Sequence, residues 1–119
     1  MPLLRSWNVL CWNVCGLNSE KKLLALSNAI SVSGCAIVCL QETKRASFDL
    51  SYIKTFCPHR FDKFEFVPSS GASGGLITIW NSSAFDGNMC FSEIFAIGIS
   101  FTCKLSGRSR VLCNVYGHF

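Results

Sequence analysis

Residues 8–42 read NVLCWNVCGLNSEKKLLALSNAISVSGCAIVCLQE, and this stretch decides the fold. Asn8 to Val14 is rich in Val and Trp and predicts a strand, along which Cys11, Asn13 and Cys15 share one face by the period of two. Gly16 breaks the strand, and Asn18-Ser19 offers an N-cap ahead of Glu20. Leu23, Leu26 and Ile30, with Leu24 beside them, recur at helical spacing until Ser33-Gly34 stops the helix. Ala36 to Leu40 is a continuous apolar run without alternation, the pattern of a strand buried on both faces. Strand, helix and buried strand make a βαβ unit, whose right-handed crossover lays the two strands parallel with their carboxyl ends at one edge.

Beyond that unit, Phe48 to Phe56 predicts a short helix, with Phe48, Tyr52, Ile53 and Phe56 on one side. After Pro58 the residue types of Phe61 to Phe66 favour a strand, Pro68 to Gly75 is a loop, and Leu76 to Trp80 is a strand. Asn81 to Asn88 is rich in turn residues, and Cys90–Lys104 and Arg110–Tyr116 predict two strands joined around Ser106-Gly107. The expected class is α/β, opening with βαβ and continuing in mainly antiparallel strands.

The 119 residues suit one domain. With 50% hydrophobic and only 15% charged residues, the composition excludes intrinsic disorder. The longest apolar stretch, Ile94 to Phe101, is too short to cross a membrane, and Arg5, Asn8 and Asn13 interrupt any signal-peptide core. The net charge of +4 is spread over Lys21-Lys22, Lys44-Arg45 and Arg108/Arg110, which fits either a solvated surface or a polyanionic partner. Eight cysteines raise three readings: disulfides, zinc or buried thiols. Cys11, Cys39, Cys90, Cys103 and Cys113 lie in strand-like segments, which favours reduced thiols buried as small hydrophobes in an intracellular, reducing compartment. For zinc, Cys11/Cys15, Cys35/Cys39 and Cys57 with His59 are the candidates, but paired CxxC knuckles are absent.

Ligands of open α/β sheets bind outside the carboxyl ends of the strands. Asn13 lies near that end of the first strand and Glu42 just past the second, so an amide and a carboxylate converge there. The pair suits a hard divalent cation such as Mg²⁺, which takes oxygen ligands and keeps several waters. At this point Glu42 reads equally well as a surface loop residue, and Asn13 as satisfying a turn. Gly71-Ala-Ser73-Gly-Gly75 matches G-x-S-x-G in form, and Ser73, Asp86 and His118 follow the chain order of α/β-hydrolases. The elbow needs a strand before the serine and a helix after it, whereas here a loop precedes and a strand follows. The same glycines lack the Lys-Ser/Thr of a P-loop.

Cys11-Trp-Asn-Val-Cys-Gly-Leu-Asn18 followed by Val38-Cys-Leu-Gln-Glu-Thr-Lys44 resembles the opening of the endonuclease/exonuclease/phosphatase superfamily, the DNase I-like proteins. The look is closest to the N-terminal half of the apurinic-type endonuclease domain of plant LINE-like retrotransposons. Gly71-Ala-Ser-Gly-Gly-Leu-Ile77 and Asn114-Val-Tyr-Gly117 follow in the same order. The resemblance implies a four-layer α/β/β/α sandwich of two packed sheets, of which residues 1–119 form one incomplete domain supplying mainly one side. Strands 76–80, 90–104 and 110–116 are then expected to keep an apolar face uncovered, leaving the chain aggregated, molten or dependent on a partner. The resemblance also implies metal-dependent phosphodiester cleavage of DNA, with Glu42 as the Mg²⁺ or Mn²⁺ ligand, Asn13 organising metal and phosphate, and Tyr116 bonding the scissile phosphate. No small-molecule cofactor and no membrane enter it. A C-terminal half or a reverse-transcriptase portion is the implied protein partner, and the nucleus the implied compartment. Two positions depart from the pattern, Cys15 where relatives carry Arg, Asn or Asp, and His118 where Pro is usual. The Asp-x-Asn motif, a further metal-site Asp and the terminal Ser-Asp-His of the pattern belong downstream of Phe119. The expectation is therefore weak metal binding and no useful cleavage by these residues alone; the alternative is a non-catalytic retroelement remnant, at most a weak DNA-binding or unstable protein.

Overall fold

The structure is a computed structural model that describes residues 7–71 and 73–116. His118 and Gly117, invoked above, lie outside the described residues. The elements run β1 (Val9–Asn13), α1 (Glu20–Ser33), β2 (Ile37–Gln41), α2 (Leu50–Ile53), β3 (Lys63–Val67), β4 (Leu76–Trp80), β5 (Phe85–Glu93), β6 (Ala96–Cys103) and β7 (Ser109–Val115). β1 and β2 pair in parallel, Cys11 opposite Cys39 and Asn13 opposite Gln41, as the βαβ reading requires. β4 and β3 extend this first sheet antiparallel in the order β1-β2-β4-β3, and β5-β6-β7 form a second, antiparallel sheet.

The helix between β1 and β2 has the ends its sequence announces. The Ser19 side chain accepts the Lys22 amide, Glu20 sits in the first turn, and Gly34 closes the helix with a left-handed φ of 65°. Leu26 and Ile30 are buried and Leu23 partly so, but Leu24 is turned to solvent. The second helix is shorter than expected. Asp49 caps Leu50–Ile53, and a looser turn carries Phe56 into the core instead of a full helix over 48–56.

Three layers result. Leu26, Ile30, Ile53 and Phe56 pack on one face of the first sheet against Val38, Leu40, Ile77 and Ile79. On its other face Ile37, Cys39, Leu76 and Trp80 meet Phe85, Ile97, Ile99 and Phe101 of the second sheet. The expectation of an uncovered inner face is thus overturned: both sheets lie within these residues, and Ile97, Ile99 and Phe101 are fully buried. What is turned to solvent is the outer face of the second sheet, where Phe91, Val111 and Val115 are exposed. Among the described residues no helix covers that face.

Segment 90–104 is not one strand. β5 begins already at Phe85, bulges between Met89 and Phe91, and turns back at Ile94-Phe95 into β6. Phe91 covers Gly98 of β6, where an added Cβ would collide with the ring. Cysteine burial also departs from expectation. Cys35, Cys39, Cys57 and Cys103 are buried, but Cys11, Cys90 and Cys113 are exposed, and no disulfide joins any described cysteine. Cys90 sits in the bulge of an edge strand, and Cys113 points away from the inner sheet. Burial pushes the Cys57 thiol up to about 12, the behaviour of an inert structural thiol.

Candidate functional site

The carboxyl ends of β1 and β2 are held together beyond the sheet. Val14, Gly16 and Leu17 donate their amides to the carbonyls of Gln41, Glu42 and Thr43, at 3.0, 2.7 and 3.2 Å. Both segments bend sharply to do so: Cys15 (φ 51°), Glu42 (φ 58°) and Lys44 (φ 58°) are all left-handed, a costly conformation for residues with side chains. Glycines line the facing loop. Thr43 and Lys44 donate to the carbonyls of Gly75 and Gly74, and a Cβ on Gly75 would collide with the buried Thr43 hydroxyl. That hydroxyl has no hydrogen-bond partner among the described residues.

Asn13 and Glu42 therefore meet at one edge, as the topology predicts, and a third group stands with them. The Cys15 thiol lies 3.3 Å from Asn13 Oδ1 and 3.6 Å from Glu42 Oε2, and the Cys15 amide also donates to Asn13 Oδ1 at 3.2 Å. Asn13 and Cys15 are exposed and Glu42 half-buried, so the cluster opens to solvent. Strand periodicity puts Cys15 on the Asn13 face. The actual contact comes from the left-handed turn, which carries Sγ back over the amide. Two of the separate basic pairs converge here as well. Lys22 donates to the Cys15 carbonyl at 2.6 Å, and the Lys44 stem packs over Gly16. Arg45 lies 3.6 Å over the Tyr52 ring, whose hydroxyl donates to the Leu17 carbonyl at 3.0 Å.

Asn114 is the residue whose role sequence reasoning missed. It is buried on β7, accepts from Gln41 Nε2 at 2.7 Å, and donates to the Ile77 carbonyl at 2.9 Å and to Thr78 Oγ1 at 3.2 Å. It thereby ties the second sheet to β2 and β4 at Leu40–Gln41 and Ile77–Thr78. Its signal was a lone amide at an inward position of a strand-like segment. Tyr116 follows two residues later but is placed against Phe95, ring centroids 6.3 Å apart, and against loop 67–75. A cleft of about 670 Å³ opens there, lined by Pro68, Ser70, Ser73, Ile94, Phe95 and Tyr116. It adjoins the Glu42 edge through Gly74 and Gly75.

Other expectations fall elsewhere. Ser73 bonds the Ser70 carbonyl in a tight turn and is followed by β4, so no nucleophile elbow exists. Asp86, in a stretch that reads Asp-x-Asn in form, pairs with Lys104 at the opposite end of the second sheet. Among the described residues no group of three or more His, Cys, Asp or Glu side chains gathers to hold a metal. Cys11/Cys15, Cys35/Cys39 and Cys57 with His59 are thus not gathered into one group. Cys11 is in register with Cys39; the Cys39 thiol hydrogen-bonded to it draws Cys11 well below its ordinary value, while the same contact and burial push Cys39 up. No helix among the described residues is long and apolar enough to cross a membrane.

No protein-family model matches the chain, and no curated protein matches it. Among solved structures it is similar to the crystal structure of the AP endonuclease LMAP from Leishmania major, at 20% identity with a TM-score of 0.65. The match covers 91% of this chain but 39% of that one. The likeness is one of fold: these residues take the mixed α/β, two-sheet arrangement of an AP endonuclease, the DNase I-like fold, over rather more than a third of its length.

Proposed function

We propose that this chain carries the first metal- and phosphate-facing edge of a DNase I-like endonuclease of the retrotransposon kind, acting on DNA in the full assembly. The observation that supports this most is the convergence of Asn13 and Glu42 at the carboxyl ends of the parallel pair, with Asn114 bonded to the Gln41 side chain next to Glu42. Lys22 and Lys44 beside them supply the positive charge a phosphate backbone seeks. In this reading Glu42 is the ligand of a divalent cation, Mg²⁺ or Mn²⁺, and Asn13 orients the phosphate. Tyr116 reaches the phosphate from the neighbouring cleft. By donor type the two oxygens suit a hard cation, but the thiol between them does not, so Mg²⁺ fits this edge poorly.

A divalent cation held by Glu42 and Asn13 would supply Lewis-acid polarisation of a phosphate. Among the described residues no histidine or second carboxylate stands at the edge to move a proton, and a missing general acid/base alone costs about 10²–10⁴-fold. The 119 residues alone are therefore expected to bind DNA weakly and not to cut it.

The test has two arms. Mn²⁺ should broaden amide signals near Glu42 and Asn13, and the effect should vanish in Glu42→Gln. Supercoiled and abasic-site DNA should stay uncut with Mg²⁺. Broadening that survives Glu42→Gln overturns the metal assignment, and Glu42-dependent nicking overturns the inactivity.

A further inference from the structure

Cys11 of β1 and Cys39 of β2 stand directly opposite each other on one face of the first sheet, and their thiols are hydrogen-bonded. They differ in exposure. Cys39 is 1% exposed and packs beneath the second sheet, whereas β1 is an edge strand and its Cys11 is open to solvent. Thr78, next in the same row on β4, donates its hydroxyl to Cys39 Sγ at 4.0 Å. The bonds thus run from Thr78 to Cys39 to Cys11 and end on the sulfur that solvent reaches. We propose that Cys11 and Cys39 are a redox pair, in which a small peroxide oxidises Cys11 from solvent and Cys39 then closes a reversible disulfide across β1 and β2.

Spacing permits the bond and makes it labile. Neighbouring strands lie about 4.7–4.9 Å apart, within the roughly 4.4–6.8 Å between Cα atoms that a disulfide spans. Its Cβ atoms want about 3.5–4.5 Å, closer than neighbouring strands hold them, so the bridge is strained and readily reduced again. In the first step the Cys11 sulfur attacks the peroxide, the O–O bond breaks, and a sulfenic acid and water result. The Cys39 sulfur then attacks Cys11, the S–S bond forms, the S–O bond breaks, and the Cys39 proton leaves with the hydroxyl as a second water. The two thiols lose two electrons and the peroxide gains them. Burial suits Cys39 to the second role alone, because an oxidant in solvent meets Cys11 first. The other exposed thiols are differently placed. Cys15 contacts Asn13 and Glu42, Cys90 the Asn88 carbonyl, and Cys113 stands opposite Gly98. The bridge lies two residues before Asn13 and three before Glu42, so closing it draws the two strands together just below their carboxyl ends.

The pair stands whether or not the edge above it binds a cation, and its test needs neither metal nor DNA. The reduced chain, kept dilute, is treated with a small excess of hydrogen peroxide, its remaining thiols are alkylated, and each cysteine is mapped by peptide mass. A Cys11–Cys39 disulfide within one chain is expected before Cys15, Cys90 or Cys113 is oxidised, reversed by dithiothreitol, with amide shifts concentrated around residues 11–14 and 39–42. Cys11→Ser, at an exposed position, should leave Cys39 reduced. Cys39→Ala, its fold checked by amide spectra, should hold Cys11 as a sulfenic acid that dimedone traps about tenfold or more over wild type. Should that variant not fold, the wild-type map and Cys11→Ser decide. A wild-type Cys11 that rests as a sulfenic or sulfinic acid while Cys39 stays reduced overturns the pair. So does a bridge from Cys11 to Cys15 or to a second chain, or a Cys11 left untouched by peroxide that already modifies Cys90 or Cys113.

Discussion

β4 and β7 are both short strands of mixed apolar and polar residues, yet every residue of β4 is buried and only Asn114 of β7 is. Position in the layers explains the contrast. β4 is an inner strand of the first sheet, with helices on one face and the second sheet on the other. β7 is an edge strand of a sheet covered on one face only, so Arg110, Leu112 and Asn114 turn inward while Val111, Cys113 and Val115 turn outward. Hydrophobic content alone does not tell the two apart. A continuous apolar run marks the double coverage of β4, whereas in β7 the apolar Val111, Cys113 and Val115 face outward and the buried position is the polar Asn114, so its alternation points the wrong way.

The sharpest way to break the comparison is to truncate one residue in each region. Ile77, fully buried among the helix-side residues, should cost about 2–5 kcal/mol as Ile77→Ala. Val111, 57% exposed on the outer face, should shift stability by no more than about 0.5 kcal/mol as Val111→Ala. Urea unfolding midpoints at an unchanged slope read both. Equal losses would mean that the outer face is packed in solution and that the two regions do not differ in coverage.

Asn114 is where the regions are joined, and its removal should cost less than a core truncation but more than any surface change. Asn114→Leu removes the amide bonds to the Leu40 and Ile77 carbonyls and takes from the Gln41 amide its shorter bond, leaving it the Cys39 carbonyl at 3.4 Å. The expected loss is about 1–3 kcal/mol by urea unfolding, with amide shifts concentrated around Gln41 and Glu42. A loss confined to the second sheet would show that Asn114 braces β7 alone and not the edge that holds Glu42.

The same contrast explains what could be read in advance. α1 was legible because Ser19, Glu20 and Gly34 mark its ends chemically. β4 was legible because Gly75 and Asn81 bracket an apolar run. The β5–β6 turn was not, since Ile94-Phe95 carries none of the residues that announce a hairpin, and the start of β5 was hidden by the turn-like Asp86-Gly87-Asn88. The exposure of Cys11 depends on how far the second sheet reaches across the first, which no local pattern records. At the edge, Asn13 and Glu42 followed from topology. The thiol contact did not, because it is made by a left-handed residue after the strand has ended. The bracing by Asn114 needs the stacking of two sheets distant in sequence.

The smallest effect lies at the crossover from the first sheet to the second. The chain leaves β4 at Trp80 and turns through Asn81–Ala84 before β5, and Ser82 in that turn donates its amide and hydroxyl to the Asp62 carboxylate at 2.9 and 2.6 Å. Asp62 in turn donates its own amide to the Trp80 carbonyl, so the clip fastens the start of β3 to the crossover. Burial works against the charged carboxylate, but the Ser82 hydroxyl and amide outweigh it and hold Asp62 below its ordinary value. A carboxyl lowered in the folded state adds stability above its unfolded value, about 3.9, and loses it as pH falls through the folded value. Asp62→Ala should therefore cost at most about 1 kcal/mol near neutrality, because water screens a group this open. The gap between wild type and variant should narrow as pH drops below about 4. Urea midpoints at a series of pH values read the gap directly. A gap constant down to low pH would show that the protonated carboxyl holds Ser82 as well as the carboxylate does, and that hydrogen bonding rather than charge fastens the start of β3 to the crossover.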